Sequence, residues 1–322
     1  MTAANTTQQY DERSYPPAFL DCQGKKAVLV QNIYRKSVVF IGRGTDEDFI
    51  PLGTGFIVSV VRAGYRFFYL TTARHVVGGI SAGRNGLTEK ISIRLNKEGG
   101  GTECLEFSHA DWKIHPQDHI EASDTMVLPA AWLDRKKYVF AHIPLDDVAL
   151  TDARREELSV GVGDEVFAVG LFTKHQGKSK NVPVVRIGNI ALMPEEQVKT
   201  KVGYISAYLV EAHSIGGLSG SPVFIHFSPF RKAGGKIMPL SVEGALLLGL
   251  MHGHFDIDEV DSVVEDRSDG GKLGIHTGMG VVIPVTRLLE LIESLDRDRQ
   301  TVIDGLNAHS SVAMDSDNSA SS

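Results

Sequence analysis

The sequence predicts an all-β fold, a sandwich or barrel, with a helix closing its C-terminal end. Three observations carry this. Short runs of β-branched and aromatic residues recur along the chain, glycines separate them at close intervals, and one late stretch switches to a helical period. Many short strands punctuated by turn signals are the mark of a sandwich or barrel.

Taken in order, the strands are expected at Ser37–Gly42, Gly55–Val61, Arg66–Thr71, Ile91–Leu95, Glu165–Gly170, Val182–Ile187, Pro222–Phe227 and Leu246–Met251. The helix is read from IPVTRLLELIESLDRD, where Val285, Leu288, Leu289, Ile292 and Leu295 form one apolar stripe. A second helix, TDARREEL beginning at Thr151, is placed between two β halves. Residues 1–26 read as a flexible arm interrupted by Pro16-Pro17, and the polar stretch 298–322 reads as a disordered tail.

Composition narrows the function classes. The chain has 322 residues, 42% hydrophobic and 23% charged, which is ordinary for a globular protein. Lys+Arg number 33 against 40 Asp+Glu, for a net charge of -7, and no cationic cluster suits a phosphate backbone, so nucleic acid is not an expected partner. The longest apolar run, Ala245 to Met251, is far short of the roughly 20 residues that span a bilayer, so no membrane is expected either. The polar N-terminus lacks the basic start and apolar core of a secretory leader, and Cys22 and Cys104 are the only cysteines. The expectation is a cytoplasmic protein with unpaired thiols, and no cofactor or structural metal.

Three segments carry chemistry. GTGFIV…YLTTARHVV brings a strand to His75; SDTMVL sets Asp124 before an apolar strand; GGLSGSPVF sets Ser219 in a glycine-rich turn that runs into another strand. A serine hydroxyl is a weak nucleophile near neutral pH and needs a base within hydrogen-bond reach. Histidine suits that task, and a carboxylate fixes its tautomer and stabilises the imidazolium that forms. The amides of Gly217 and Ser219 can point at a developing oxyanion. Asp118 and Glu121 stay open as alternative orienting acids. An α/β-hydrolase is disfavoured, because its histidine follows the serine and its serine turn leads into a helix.

On these segments the chain resembles the trypsin/chymotrypsin-like serine peptidases, above all disulfide-free bacterial forms such as the high-temperature-requirement (Deg) and glutamyl-endopeptidase branches. TTARHVV is similar to the family's histidine box, SDTMVL to its aspartate box with Met126 where alanine is usual, and GGLSGSPVF to its serine box. GMGVVIPVTRLL resembles the last strand and closing helix of the Deg branch, and the similarity spans residues 30–297. It implies two six-stranded antiparallel β-barrels, residues 27–140 and 158–284, a closing helix at 285–297 and a site in the cleft between the barrels. It also implies a serine endopeptidase acting on a protein or peptide substrate, with His75 as base, Asp124 as orienting acid, Ser219 as nucleophile, and Gly217 and Ser219 as oxyanion donors. The stretch after Arg297 is too short for the PDZ module that Deg proteases carry, and no start suited to cleavage-driven activation is seen. The alternative is a non-catalytic or latent peptide-binding module that needs an activating partner.

By the same resemblance the specificity pocket is walled by His213, six residues before Ser219, and by Leu250, Met251, His252 and Gly253 on a later strand. No aspartate stands at His213's position to receive a basic side chain. Strand alternation turns Met251 toward the pocket and His252 away from it, which suits a small or medium apolar residue, and substrate is expected to pair along Leu250–Gly253. His252, His254 and Asp256 could form a metal-binding strand face, the bland reading being rim residues. The segment 256–269 holds seven acids against one arginine and reads as a solvated loop that could steer basic substrates or hold a cation.

Overall fold

The computed structural model describes residues 30–82, 90–118, 122–200, 202–212, 217–227, 230–233, 236–239, 244–257 and 275–319. The N-terminal half runs α1 (Asn32–Lys36), β1 (Val38–Arg43), β2 (Ile50–Arg62), β3 (Tyr65–Ala73), α2 (Arg74–Ser81), β4 (Ile91–Asn96), β5 (Thr102–Phe107), β6 (Lys113–Ile114), β7 (Thr125–Pro129) and β8 (Ile143–Pro144). Two short helices, α3 (Leu145–Val148) and α4 (Asp152–Glu157), form the link, and Thr151 caps α4 by accepting the Arg154 N–H. The C-terminal half runs β9 (Glu165–Gly170), β10 (Val184–Leu192), β11 (Gln197–Thr200), β12 (Gly203–Ser206), β13 (Tyr208–Glu211), β14 (Pro222–His226), β15 (Phe230–Ala233), β16 (Lys236–Pro239), β17 (Ala245–Ile257) and β18 (Ile275–Pro284). Two helices follow, α5 (Val285–Ser294) and α6 (Asp296–Ser319).

The expected class holds: strands dominate, and the second half closes as a six-stranded antiparallel barrel in the order β10-β13-β18-β17-β14-β9. The first half has eight strands rather than six, ordered β5-β4-β1-β2-β3-β7-β6, with β8 added parallel to β2. The two extra strands, β6 and β8, are two-residue edges. Residues 53–60 of β2 are buried without a break, because both faces of this strand are covered.

Side chains tie the halves together. Tyr34 on α1 packs against Phe167 and Phe224 of the closed barrel, with ring centroids 5.4 and 4.7 Å away, and its Oη accepts the Ala245 N–H at 3.1 Å. Arg94 on β4 is buried and donates to the carbonyls of Gly177 and Lys178 at 3.0 and 3.1 Å. The link α4 is the helix expected at Thr151, and α5 buries Val285, Leu288, Leu291 and Ile292 as its stripe predicts.

The tail expected to be disordered from residue 298 is instead helical through Ser319. Arg299 and Ile303 are buried and Val302 and Leu306 are half-buried, a stripe at helical spacing hidden in a polar sequence. Arg299 Nη1 donates to the Ile292 carbonyl at the end of α5 and to Tyr69 Oη on β3. No helix among the described residues is long and apolar enough to cross a membrane. Arg299→Ala should lower unfolding free energy by about 2–3 kcal/mol, since charged hydrogen bonds to buried acceptors are lost; chemical denaturation followed by circular dichroism reads the change.

Candidate active site

His75 is the second residue of α2, which begins where β3 ends. Asp124, just before β7, has a left-handed backbone with φ of 46°. Aspartate tolerates that region better than most side chains. The bend brings three acceptors of one residue onto the start of α2. The Asp124 carbonyl takes the Arg74 N–H at 3.0 Å, Oδ1 takes the His75 N–H at 2.9 Å, and Oδ2 takes His75 Nδ1 at 2.8 Å.

A second imidazole reaches the same oxygen. His252 Nδ1 on β17 lies 2.5 Å from Asp124 Oδ2, and the His75 and His252 rings meet edge to face with centroids 5.1 Å apart. Burial alone would raise the Asp124 pKa, but the bonds from His252 and His75 outweigh it and hold the carboxyl at about 2. An ionised carboxylate only accepts, so both Nδ1 atoms carry protons. Neutral His75 therefore keeps its lone pair on Nε2, the atom a base needs.

Ser219 sits in the tight turn that enters β14. Gly220 N–H donates to the Met251 carbonyl at 2.7 Å, Met251 N–H to the Ser221 carbonyl at 2.8 Å, and Ser221 N–H to the Leu218 carbonyl at 2.9 Å. Thr54 on β2 grips this turn from the other half: its N–H donates to the Ser219 carbonyl at 2.9 Å, and its hydroxyl donates to the Gly217 carbonyl at 2.7 Å while accepting the Leu171 N–H at 2.9 Å. Two glycines are required here. Gly217 has φ of 103°, and a Cβ there would stand 2.9 Å from Thr173 Cγ2; at Gly220, with φ of 81°, it would stand 2.2 Å from the Thr54 carbonyl oxygen. Among the described residues, the N–H groups of Gly217 and Ser219 donate no hydrogen bond, as an oxyanion site requires. Nor does a hydrogen bond join Ser219 Oγ to His75 in this structure.

The expected residues thus fall into three groups. His75 and Asp124 are bonded, and Ser219 and Gly217 share the turn gripped by Thr54. Asp118 accepts from Arg74 and from the Ser123 N–H at 3.0 Å, so it orders the segment before Asp124 rather than orienting His75. Glu121, His213 and residues 258–269 of the acidic segment lie outside the described residues.

The pocket strand departs from expectation. Leu250 is fully buried and paired with both Pro222 and Ile283, and Met251 is 1% exposed with its backbone bonded to the serine turn. Neither backbone is available to a peptide; the ladder toward β14 ends at this point, and among the described residues Gly253 pairs with Val281 on β18 alone. His252 is turned onto Asp124, and the Asp256 side chain of the expected metal-binding face lies outside the described residues. Sequence reasoning missed Thr54 and the contact of His252 with the acid; the Gly-Thr-Gly at 53–55 was the available signal for the first. Among the described residues, His75, Asp124 and His252 also form a group whose possible ligand atoms lie within 4.8 Å of one another, a donor set of the kind zinc takes.

A closed antiparallel six-stranded barrel, an additional eight-stranded sheet and C-terminal helices define a trypsin-like serine peptidase fold. No family model and no curated protein matches the chain. Among solved structures it is similar to the apo MamO protease domain of Magnetospirillum magneticum, at 16% identity and TM-score 0.44, covering 80% of this chain and 96% of that one. It is also similar to Deg5, at 16% identity and TM-score 0.45, covering 82% and 90%.

Thr54→Val keeps the shape of residue 54 but removes both hydroxyl bonds. Because Leu171 N–H and the Gly217 carbonyl lose their partner, stability should fall by about 1–3 kcal/mol. The rate of labelling by a fluorophosphonate should fall with it, measured against time at a fixed probe concentration.

Proposed function

We propose that the protein is a serine endopeptidase. The observation that carries this reading is the ionised Asp124 fixing His75 with its Nε2 lone pair available, in the half of the molecule that also grips the Ser219 turn through Thr54. Ser219 Oγ attacks the scissile carbonyl carbon, His75 Nε2 takes the hydroxyl proton, and Asp124 stabilises the resulting imidazolium. The amides of Gly217 and Ser219 receive the oxyanion. His75 then returns the proton to the leaving amine, and water, deprotonated by the same imidazole, releases the acyl group. An extended substrate would pair with β17 from His252 onward, past the point where β14 occupies that edge.

A second reading is favoured by one observation, the missing hydrogen bond between Ser219 Oγ and His75. In it the chain is a latent protease or peptide-binding module whose turn is completed by a partner or by substrate; catalytic bonds in substrate-free proteins are often long. Labelling by a fluorophosphonate separates the two. An active peptidase reacts alone, Ser219→Ala abolishes the reaction while the fold persists, and His75→Ala lowers peptide hydrolysis by about three orders of magnitude or more. A labelled Ser219→Ala protein would refute the nucleophile, and labelling that starts only with an added partner would favour the latent form.

A further inference from the structure

The second imidazole on Asp124 has no part in the proton transfers above. Resting on the peptidase reading, we infer that His252 is a positioning residue: its Nδ1–H shares Asp124 Oδ2 with His75 and holds the carboxylate in place.

The geometry makes this more than a packing contact. Oδ1 is held by the His75 N–H, and Oδ2 is shared by His252 at 2.5 Å and His75 at 2.8 Å, so His252 supplies the one restraint on the carboxylate that does not come from His75 itself among the described residues. His252 comes from β17, whose next-door residue Met251 is bonded to the serine turn through Gly220 and Ser221. The ring thus ties the half that supplies the acid to the strand that supports the nucleophile.

The packing of the two rings adds a consequence. His75 and His252 meet edge to face with centroids 5.1 Å apart, so each limits the movement of the other about the shared oxygen. Without the His252 donor, Oδ2 would keep the His75 ring as its single partner among the described residues, and the pair could swing as one unit.

Three variants and one spectrum test this. His252→Asn keeps an N–H near the Nδ1 position and should retain kcat within about tenfold. His252→Ala removes the donor and should lower kcat about ten- to a hundredfold with KM changed little, as loss of a hydrogen bond to a charged group does. His75→Ala serves as the control for loss of the base itself. A His252→Ala enzyme with wild-type kcat, or a His252→Asn enzyme as slow as His252→Ala, would overturn the proposal. The nuclear magnetic resonance spectrum answers even if the chain hydrolyses nothing. Two low-field imidazole N–H signals are expected while Asp124 is ionised, and His252→Asn should delete one. A single signal, unchanged in that variant, overturns the shared carboxylate, whereas two signals in a protein no fluorophosphonate labels would leave the contact standing and reject the peptidase reading.

Discussion

Burying a carboxylate is the constraint around which this site is organised. An ionised group away from water is costly unless its lone pairs are filled. Asp124 is buried, and its two oxygens are filled by N–H donors from the backbone and ring of His75 and from the ring of His252. Those donors come from α2 and β17, which belong to different halves of the chain. Satisfying one anion therefore fixes the tautomers of two imidazoles and ties a strand of the closed barrel to the N-terminal half. The left-handed backbone of Asp124 is the local strain this convergence requires.

A second seam completes the alignment. Where Thr54 meets the serine turn, the backbones approach too closely for any side chain at Gly220, and a Cβ at Gly170 would lie 1.9 Å from Ser221 Oγ. Close approach lets one threonine hydroxyl join β2, the start of the loop after β9, and the Gly217 carbonyl. With its carbonyl held, the Gly217 peptide has a defined face, and the adjoining amides are left without internal acceptors.

Much of this was legible in the residues. The eight expected strands correspond to β1, β2, β3, β4, β9, β10, β14 and β17, because those segments combine β-branched runs with turn residues at both ends. What was missed has physical causes. The strand β5 (TECLEF) is half-exposed with mixed polarity, and β6 and β8 are too short to carry a period. The helical tail α6 hides a sparse stripe led by an arginine, a residue that composition counts as solvent-facing. Alternation turned His252 away from the pocket but could not name what it meets, because Asp124 is 128 residues away in the chain and reaches β17 only through the tertiary fold. Asp124, by contrast, was found from its box, and the structure explains why Asp118, six residues earlier in the same acidic stretch, is a structural partner of Arg74 instead.

The contacts are divided between the halves. His75 and Asp124 are joined within the N-terminal half by bonds that do not involve the serine. Among the described residues, the Ser219 turn is bonded to that half through Thr54, and to β17 through Gly220 and Ser221. A small displacement of the turn would therefore leave the His75–Asp124 pair intact. A shift of β17 near Met251 would act on the serine turn and on the His252 ring together, because the strand that bonds Gly220 and Ser221 also carries the ring that bonds Asp124.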